Sequence, residues 1–67
     1  MTKVEIFFPL GAPADAQTLG RVAEAQAVYG IFRIQVEQDG VRVEFDATRL
    51  NPKEVKAALL RIGIPVQ

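Results

Sequence analysis

The chain has no cysteine and no histidine among its 67 residues. Without cysteine there is no disulfide framework, no thiolate nucleophile and no redox switch. Without histidine, the side chain that most readily exchanges a proton near neutral pH is missing. Cu(I) and Zn(II) select thiolate and imidazole, so soft-metal coordination has no ligands to draw on, and Met1 is the only sulfur. No apolar run approaches the roughly 20 residues that cross a bilayer. The start lacks the basic, apolar, small-residue layout of a signal peptide. A cytoplasmic chain with no membrane insertion is the expectation. An excess of one charge is lacking too, since eight basic and eight acidic side chains sum to zero. Nucleic-acid affinity comes largely from counterions released by a basic patch. The cations here are scattered, so no nucleic-acid partner is expected.

What is present is a globular composition. Hydrophobic residues make up 49% of the chain, with charges interspersed, unlike the low hydrophobicity and high net charge of disordered segments. The length predicts a single domain over residues 1–67. A domain of this size buries only about 60% of its unfolded surface, so it depends on a compact core and good local signals.

Residues 3–8 alternate, with Val4, Ile6 and Phe8 on one face and Lys3, Glu5 and Phe7 on the other; this predicts a strand. Pro9 closes it, because proline cannot donate to a ladder. Residues 10–14, with Gly11 and Pro13, read as a loop. Asp15 is placed as the N-cap of a helix over 16–29, its carboxylate available to a backbone N–H two or three residues on. Leu19, Val22, Ala25 and Tyr29 form the apolar stripe of that helix. Gly20 weakens it and Gly30 stops it.

Asp39-Gly40 lies between two alternating runs and signals a tight hairpin, predicting strands over 31–38 and 41–46. That turn sets Gln38 opposite Val41, Val36 opposite Val43 and Ile34 opposite Phe45, with Phe32 extending the same face. On the other face Glu37 meets Arg42, Arg33 meets Asp46 and Gln35 meets Glu44. Opposite-charge pairs of this kind contribute about 0.2–1 kcal/mol each. Asn51, Pro52 and Glu54 then predict a helix start with a capping box. Val55, Ala58, Leu59 and Ile62 make its core stripe and Gly63 its stop. Residues 64–66 form a short last strand, which Pro65 confines to a sheet edge.

The order strand, helix, strand, strand, helix, short strand predicts an α+β fold. Each helix has one apolar stripe, so both pack on one face of the sheet. The expected architecture is a ferredoxin-like βαββαβ sandwich with a four-stranded antiparallel sheet and a short last strand. The residue detail from Gly30 onward resembles the heavy-metal-associated domain, the small fold of copper chaperones and of the N-terminal modules of metal-pumping ATPases. The resemblance rests on Tyr-Gly-Ile at 29–31 and Val-Arg-Val-Glu-Phe-Asp at 41–46. It continues through Asn-Pro-Lys-Glu-Val-Lys-Ala-Ala-Leu at 51–59 and Arg-Ile-Gly-Ile-Pro-Val at 61–66. That family binds soft metal through a Met-x-Cys-x-x-Cys loop between the first strand and first helix. The two cysteine places fall at Ala14 and Gln17 when counted back from Gly30. They fall at Asp15 and Thr18 when Val22 and Tyr29 are matched to the helix core. Neither alignment offers a thiol, so no metal residue and no cofactor is carried over.

Other chemistries find little support. Glu37, Asp39, Glu44 and Asp46 are spaced as surface partners of arginines, not as a Ca²⁺ or Mg²⁺ cluster. An anion at the N-terminus of the first helix would compete with the Asp15 carboxylate. Catalysis would fall to Thr18, Thr48, Tyr29 or a lysine, and none is singled out. RNA binding on the sheet needs exposed aromatics, and Phe7 is the only one assigned to that face. Protein contact is the remaining expectation, through Phe7, Ile31, Arg33 and Arg42 on the charged face and the edge beside Pro65, since open edges invite pairing. The function expected is a non-enzymatic interaction module resembling a heavy-metal-associated domain without thiol ligands, a partner or regulator in metal trafficking. Its partner would be a protein, either a transporter or regulator or a second copy in a weak homo-oligomer. The alternative is a small-molecule-sensing regulatory domain of ferredoxin-like fold acting as a dimer.

Overall fold

A computed structural model describes residues 2–67; Met1, the single sulfur, lies outside the described residues. The chain runs β1 (Lys3–Pro9), α1 (Ala16–Ala25), β2 (Ile31–Val36), β3 (Gly40–Asp46) and α2 (Pro52–Ile62). The fold is α+β, with two helices and a three-stranded antiparallel sheet in the order β1-β3-β2. The expected fourth strand is reduced to one antiparallel bridge between Leu10 and Val66. The Gly11 N–H donates to the Pro65 carbonyl (2.7 Å) and the Gln67 N–H to the Pro9 carbonyl (2.8 Å). Pro65 has only a carbonyl to offer, so the ladder does not run back through it.

One core holds these elements together. Phe8, Ile34, Val41, Val43 and Phe45 project from a single face of the sheet and pack with Val22, Ala25, Val55 and Leu59 of the helices. Ile64 and Val66 close its end. Fully burying such a side chain contributes about 1.5–3 kcal/mol.

The second helix follows the sequence closely. Asn51 Oδ1 accepts the Glu54 N–H (2.8 Å) and Glu54 Oε1 accepts the Asn51 N–H (3.0 Å). Pro52 occupies the first turn, where its missing N–H costs nothing. Gly63, at φ 105°, caps the other end through the Leu59 and Leu60 carbonyls. Asn51→Ala is expected to cost about 1 kcal/mol. In a domain this small that is a fall of about 4–8 °C in melting temperature, readable by circular dichroism.

The first helix departs from expectation. Asp15 caps it by accepting the Thr18 N–H (2.9 Å), but it ends at Ala25 and not Tyr29. Ala27 and Val28 donate to the carbonyls of Glu24 and Ala25, three residues back, the tightened hydrogen bonding that often closes a helix. Its buried face is Thr18, Val22 and Ala25, while Leu19 is 54% and Tyr29 73% exposed. Val22 and Ala25 of the predicted stripe are buried, while Thr18, at i to their i+4 and i+7, takes the inward place expected of Leu19. Gly20 faces outward, with nothing within 4 Å of where a Cβ would stand. Gly20→Ala is therefore expected to stabilise the protein by about 0.5–1 kcal/mol, seen as a higher denaturation midpoint in urea.

The hairpin also differs, in two ways. Val36 pairs with Val41 and Ile34 with Val43, and the Glu37 N–H donates to the Gly40 carbonyl (2.8 Å). The two-residue turn is Gln38-Asp39, and Gly40 belongs to β3. No described non-glycine residue has positive φ, and among the glycines only Gly30 and Gly63 do, so the turn is not of the mirror-image type that Asp-Gly suggests. The register moves by two residues, which leaves every side chain on its predicted face. A bulge between Ile31 and Arg33 then reverses that face at the start of β2. Ile31 turns into the core at 6% exposure and Phe32 turns out at 44%, the opposite of the predicted placement.

Candidate interaction surface

The helix-free face of the sheet carries Lys3, Glu5 and Phe7 from β1, Arg33, Gln35 and Glu37 from β2 and its turn, and Arg42 and Glu44 from β3. Arg42 is its hub. Its Nε and Nη2 each lie 3.1 Å from a Glu37 carboxylate oxygen, Nη1 is 3.7 Å from Glu5, and its guanidinium lies 5.2 Å from the centre of the Phe7 ring. Hydrogen bonding from Arg42 holds the Glu37 carboxyl below its ordinary range, and Glu37 raises Arg42 in turn. Lys3 lies 3.8 Å from Glu44. The expected Arg33–Asp46 and Gln35–Glu44 pairings do not form. Arg33 stands opposite Glu44 and Gln35 opposite Arg42, because the turn closes one residue earlier. Arg33 is exposed and makes no ion pair among the described residues.

Both outer strands leave backbone groups facing away from the sheet. The Leu10 N–H donates to Asp39 on the β3 side, and alternation sends the peptide groups of Lys3, Glu5 and Phe7 outward. Pro9 points the same way, so its missing N–H interrupts no bond to β3. The bridge at Leu10 and Val66 covers only the far end of this edge. Pro65 is half-buried there, tied to Gly11 through its carbonyl.

The predicted surface residues do not form one patch. Phe7, Arg33 and Arg42 share the open face, Pro65 lies beside the end of β1, and Ile31 is in the core. Of the loop positions, Ala14 and Gln17 are exposed, Asp15 is occupied by its cap and Thr18 is buried. The Asp15 carboxyl is held low, chiefly by the Thr18 N–H. These four side chains supply no thiolate or imidazole, so they do not fit the soft metal that the resemblance implies.

A cleft of about 330 Å³ was not foreseen. It is lined by Tyr29, Gly30, Phe32, Asp46, Thr48 and Arg49. The Arg49 guanidinium stacks 4.5 Å from the Tyr29 ring centre and its Nε lies 3.4 Å from Asp46. Asp46, 3% exposed, accepts the Thr48 hydroxyl (2.6 Å) and the Thr48 N–H (3.0 Å). The Asp-x-Thr-Arg spacing at 46–49 was the available signal, since a buried aspartate is commonly satisfied by a local turn.

The Thr48 hydroxyl, then its N–H, hold the Asp46 carboxyl below its ordinary value. The unfolded chain, whose aspartates titrate near about 3.9, therefore binds more protons as the pH falls. The Asp46 contribution is complete above that value and is lost on acidification through the folded one. Thr48→Val is expected to lower stability most near pH 7, where the Asp46 contribution is complete, and so to move the acid-unfolding midpoint to higher pH, as followed by circular dichroism.

Comparison with family models, curated proteins and solved structures finds no match to this chain. Among the described residues no helix is long and apolar enough to cross a membrane.

Proposed function

We propose that this chain is a non-enzymatic protein-interaction module on a ferredoxin-like βαββαβ scaffold. The strand order, the single helix-covered face and the remnant of a fourth strand beside β1 support that arrangement. The observation that carries the function is the outer edge of β1. The peptide groups of Lys3, Glu5 and Phe7 face outward, beyond the reach of the bridge at Leu10. An extended segment of another protein would add there as a strand, gaining main-chain hydrogen bonds. The resemblance to heavy-metal-associated domains supports a role beside metal trafficking, as a partner or regulator that holds no metal itself.

Selection from a displayed library of extended heptapeptides tests the edge. Bound peptides should protect the Glu5 and Phe7 amides from exchange, and Glu5→Pro, which removes an outward N–H, should abolish binding, while Glu5→Ala, which removes only the carboxylate 3.7 Å from Arg42, should keep it. Peptides that bind equally well to Glu5→Pro would refute this reading. Submicromolar Cu(I) or Zn(II) binding by the folded protein would refute its metal-free half. The cleft beside Tyr29 favours a second reading, small-molecule sensing. A ligand-dependent rise in melting temperature across a metabolite panel, lost in Arg49→Ala, would replace the first.

A further inference from the structure

The opposite edge of the sheet carries a charge order that selects a particular partner. β2 is outermost in the order β1-β3-β2. Glu37 bonds toward β3 through Gly40, so alternation turns the N–H and C=O groups of Ile34 and Val36 away from the sheet. No other backbone group meets them on that side among the described residues. On the open face this strand and its turn present Arg33, Gln35 and Glu37: positive, neutral, negative. Arg33 has no ion-pair partner among the described residues, and Glu37 is engaged from the β3 side only, by Arg42.

We propose that two copies of this chain pair antiparallel through β2 about a two-fold axis at Gln35. The inference goes beyond the β1 proposal and stands whether or not that edge has a partner. Outward-facing residues must meet outward-facing residues, so the axis can fall at Arg33, Ile34, Gln35 or Val36. An axis at Arg33 sets two arginines side by side. One at Ile34 sets Arg33 against Gln35, and one at Val36 sets Glu37 against Gln35. Only the axis at Gln35 sets Arg33 against the partner's Glu37, twice by symmetry, with like charges apart. Those are non-hydrogen-bonded pairs, where side chains approach most closely. Ile34 then meets the partner's Val36, each donating its N–H and accepting at its carbonyl. The bulge at Phe32 and the turn at Gln38 end the usable edge, so the contact is small and the dimer weak.

Sedimentation from about 10 μM to about 1 mM, a range suited to weak complexes, should show reversible dimerisation that falls with added salt. Arg33→Glu and Glu37→Arg should each weaken it by about tenfold or more. An equimolar mixture of the two should recover it, because both cross-pairs are then of opposite sign. Should Glu37→Arg fail to fold beside Arg42, the unaltered protein serves. Its Ile34 and Val36 amides should gain protection with concentration, and Glu5→Pro should leave this unchanged. A wild-type chain monomeric throughout the range would overturn the proposal. So would dimerisation indifferent to Arg33→Glu, or protection confined to β1 amides.

Discussion

Phe45→Ala should leave the chain largely unfolded at 25 °C. Phe45 is 1% exposed and pairs with Val4 on one side and Ile31 on the other, so its ring lies where all three strands meet the helices. Removing a buried phenylalanine ring costs about 3–5 kcal/mol. A chain of 67 residues has only about 3–10 kcal/mol in total at the usual stability per residue. The loss is therefore comparable to everything that holds the fold. Far-UV circular dichroism should show a broad or absent thermal transition, whereas Phe45→Leu, which refills most of the volume, should still melt cooperatively. A sharp transition for the alanine variant within a few degrees of the parent would show that the core is not where the packing places it.

Gly40→Ala is expected to be nearly as damaging, for a different reason. A Cβ at Gly40 would stand 2.4 Å from the Phe8 carbonyl oxygen and 2.5 Å from Phe7 Cζ. The Phe7 ring can swing aside, but the carbonyl belongs to the β1–β3 ladder and cannot move without breaking register. The cost should reach or exceed the roughly 1–3 kcal/mol of ordinary overpacking, read from a urea midpoint. Gly40→Asn separates this account from a turn-based one. Asparagine is favoured where an Asp-Gly turn needs positive φ, so tolerance of asparagine would mean that the turn lies at Asp39-Gly40 after all. Here it should be at least as harmful as alanine. The same glycine-to-alanine change thus has opposite signs at positions 20 and 40.

The legible parts of the fold were those governed by short-range chemistry. The Asn51–Glu54 box, the Asp15 cap, the Gly63 stop and the alternation of β1 all appear where they were read, because each is decided within a few residues. The illegible parts were settled by tertiary contact. Gly40 looks like a turn residue in sequence, yet it is required by the approach of Phe7 and Phe8, more than thirty positions earlier. Phe32 continues an apolar alternation, and only the bulge turns it outward and admits Ile31. Tyr29 fits a helical stripe, but the helix ends a turn sooner and the ring stacks on Arg49. The Arg42–Glu37 pair was anticipated although the register was not, since a two-residue shift still leaves both on the same face. The cleft at Tyr29 depends on that early helix end and on the bulge together, and neither was read in the sequence.

The bridge at Leu10 and Val66 has a practical corollary for anyone attaching a tag. Gln67 lies opposite Pro9, its N–H on the Pro9 carbonyl, and the two segments run in opposite directions. A residue fused after Gln67 would come to rest opposite Phe8, and each further one would step toward Lys3. A carboxy-terminal tag with strand-forming character would then zip itself onto its own carrier and mask the outward peptide groups of Lys3, Glu5 and Phe7. Amino-terminal fusions keep that groove vacant, and a cleavable tail would serve as a built-in blocking control.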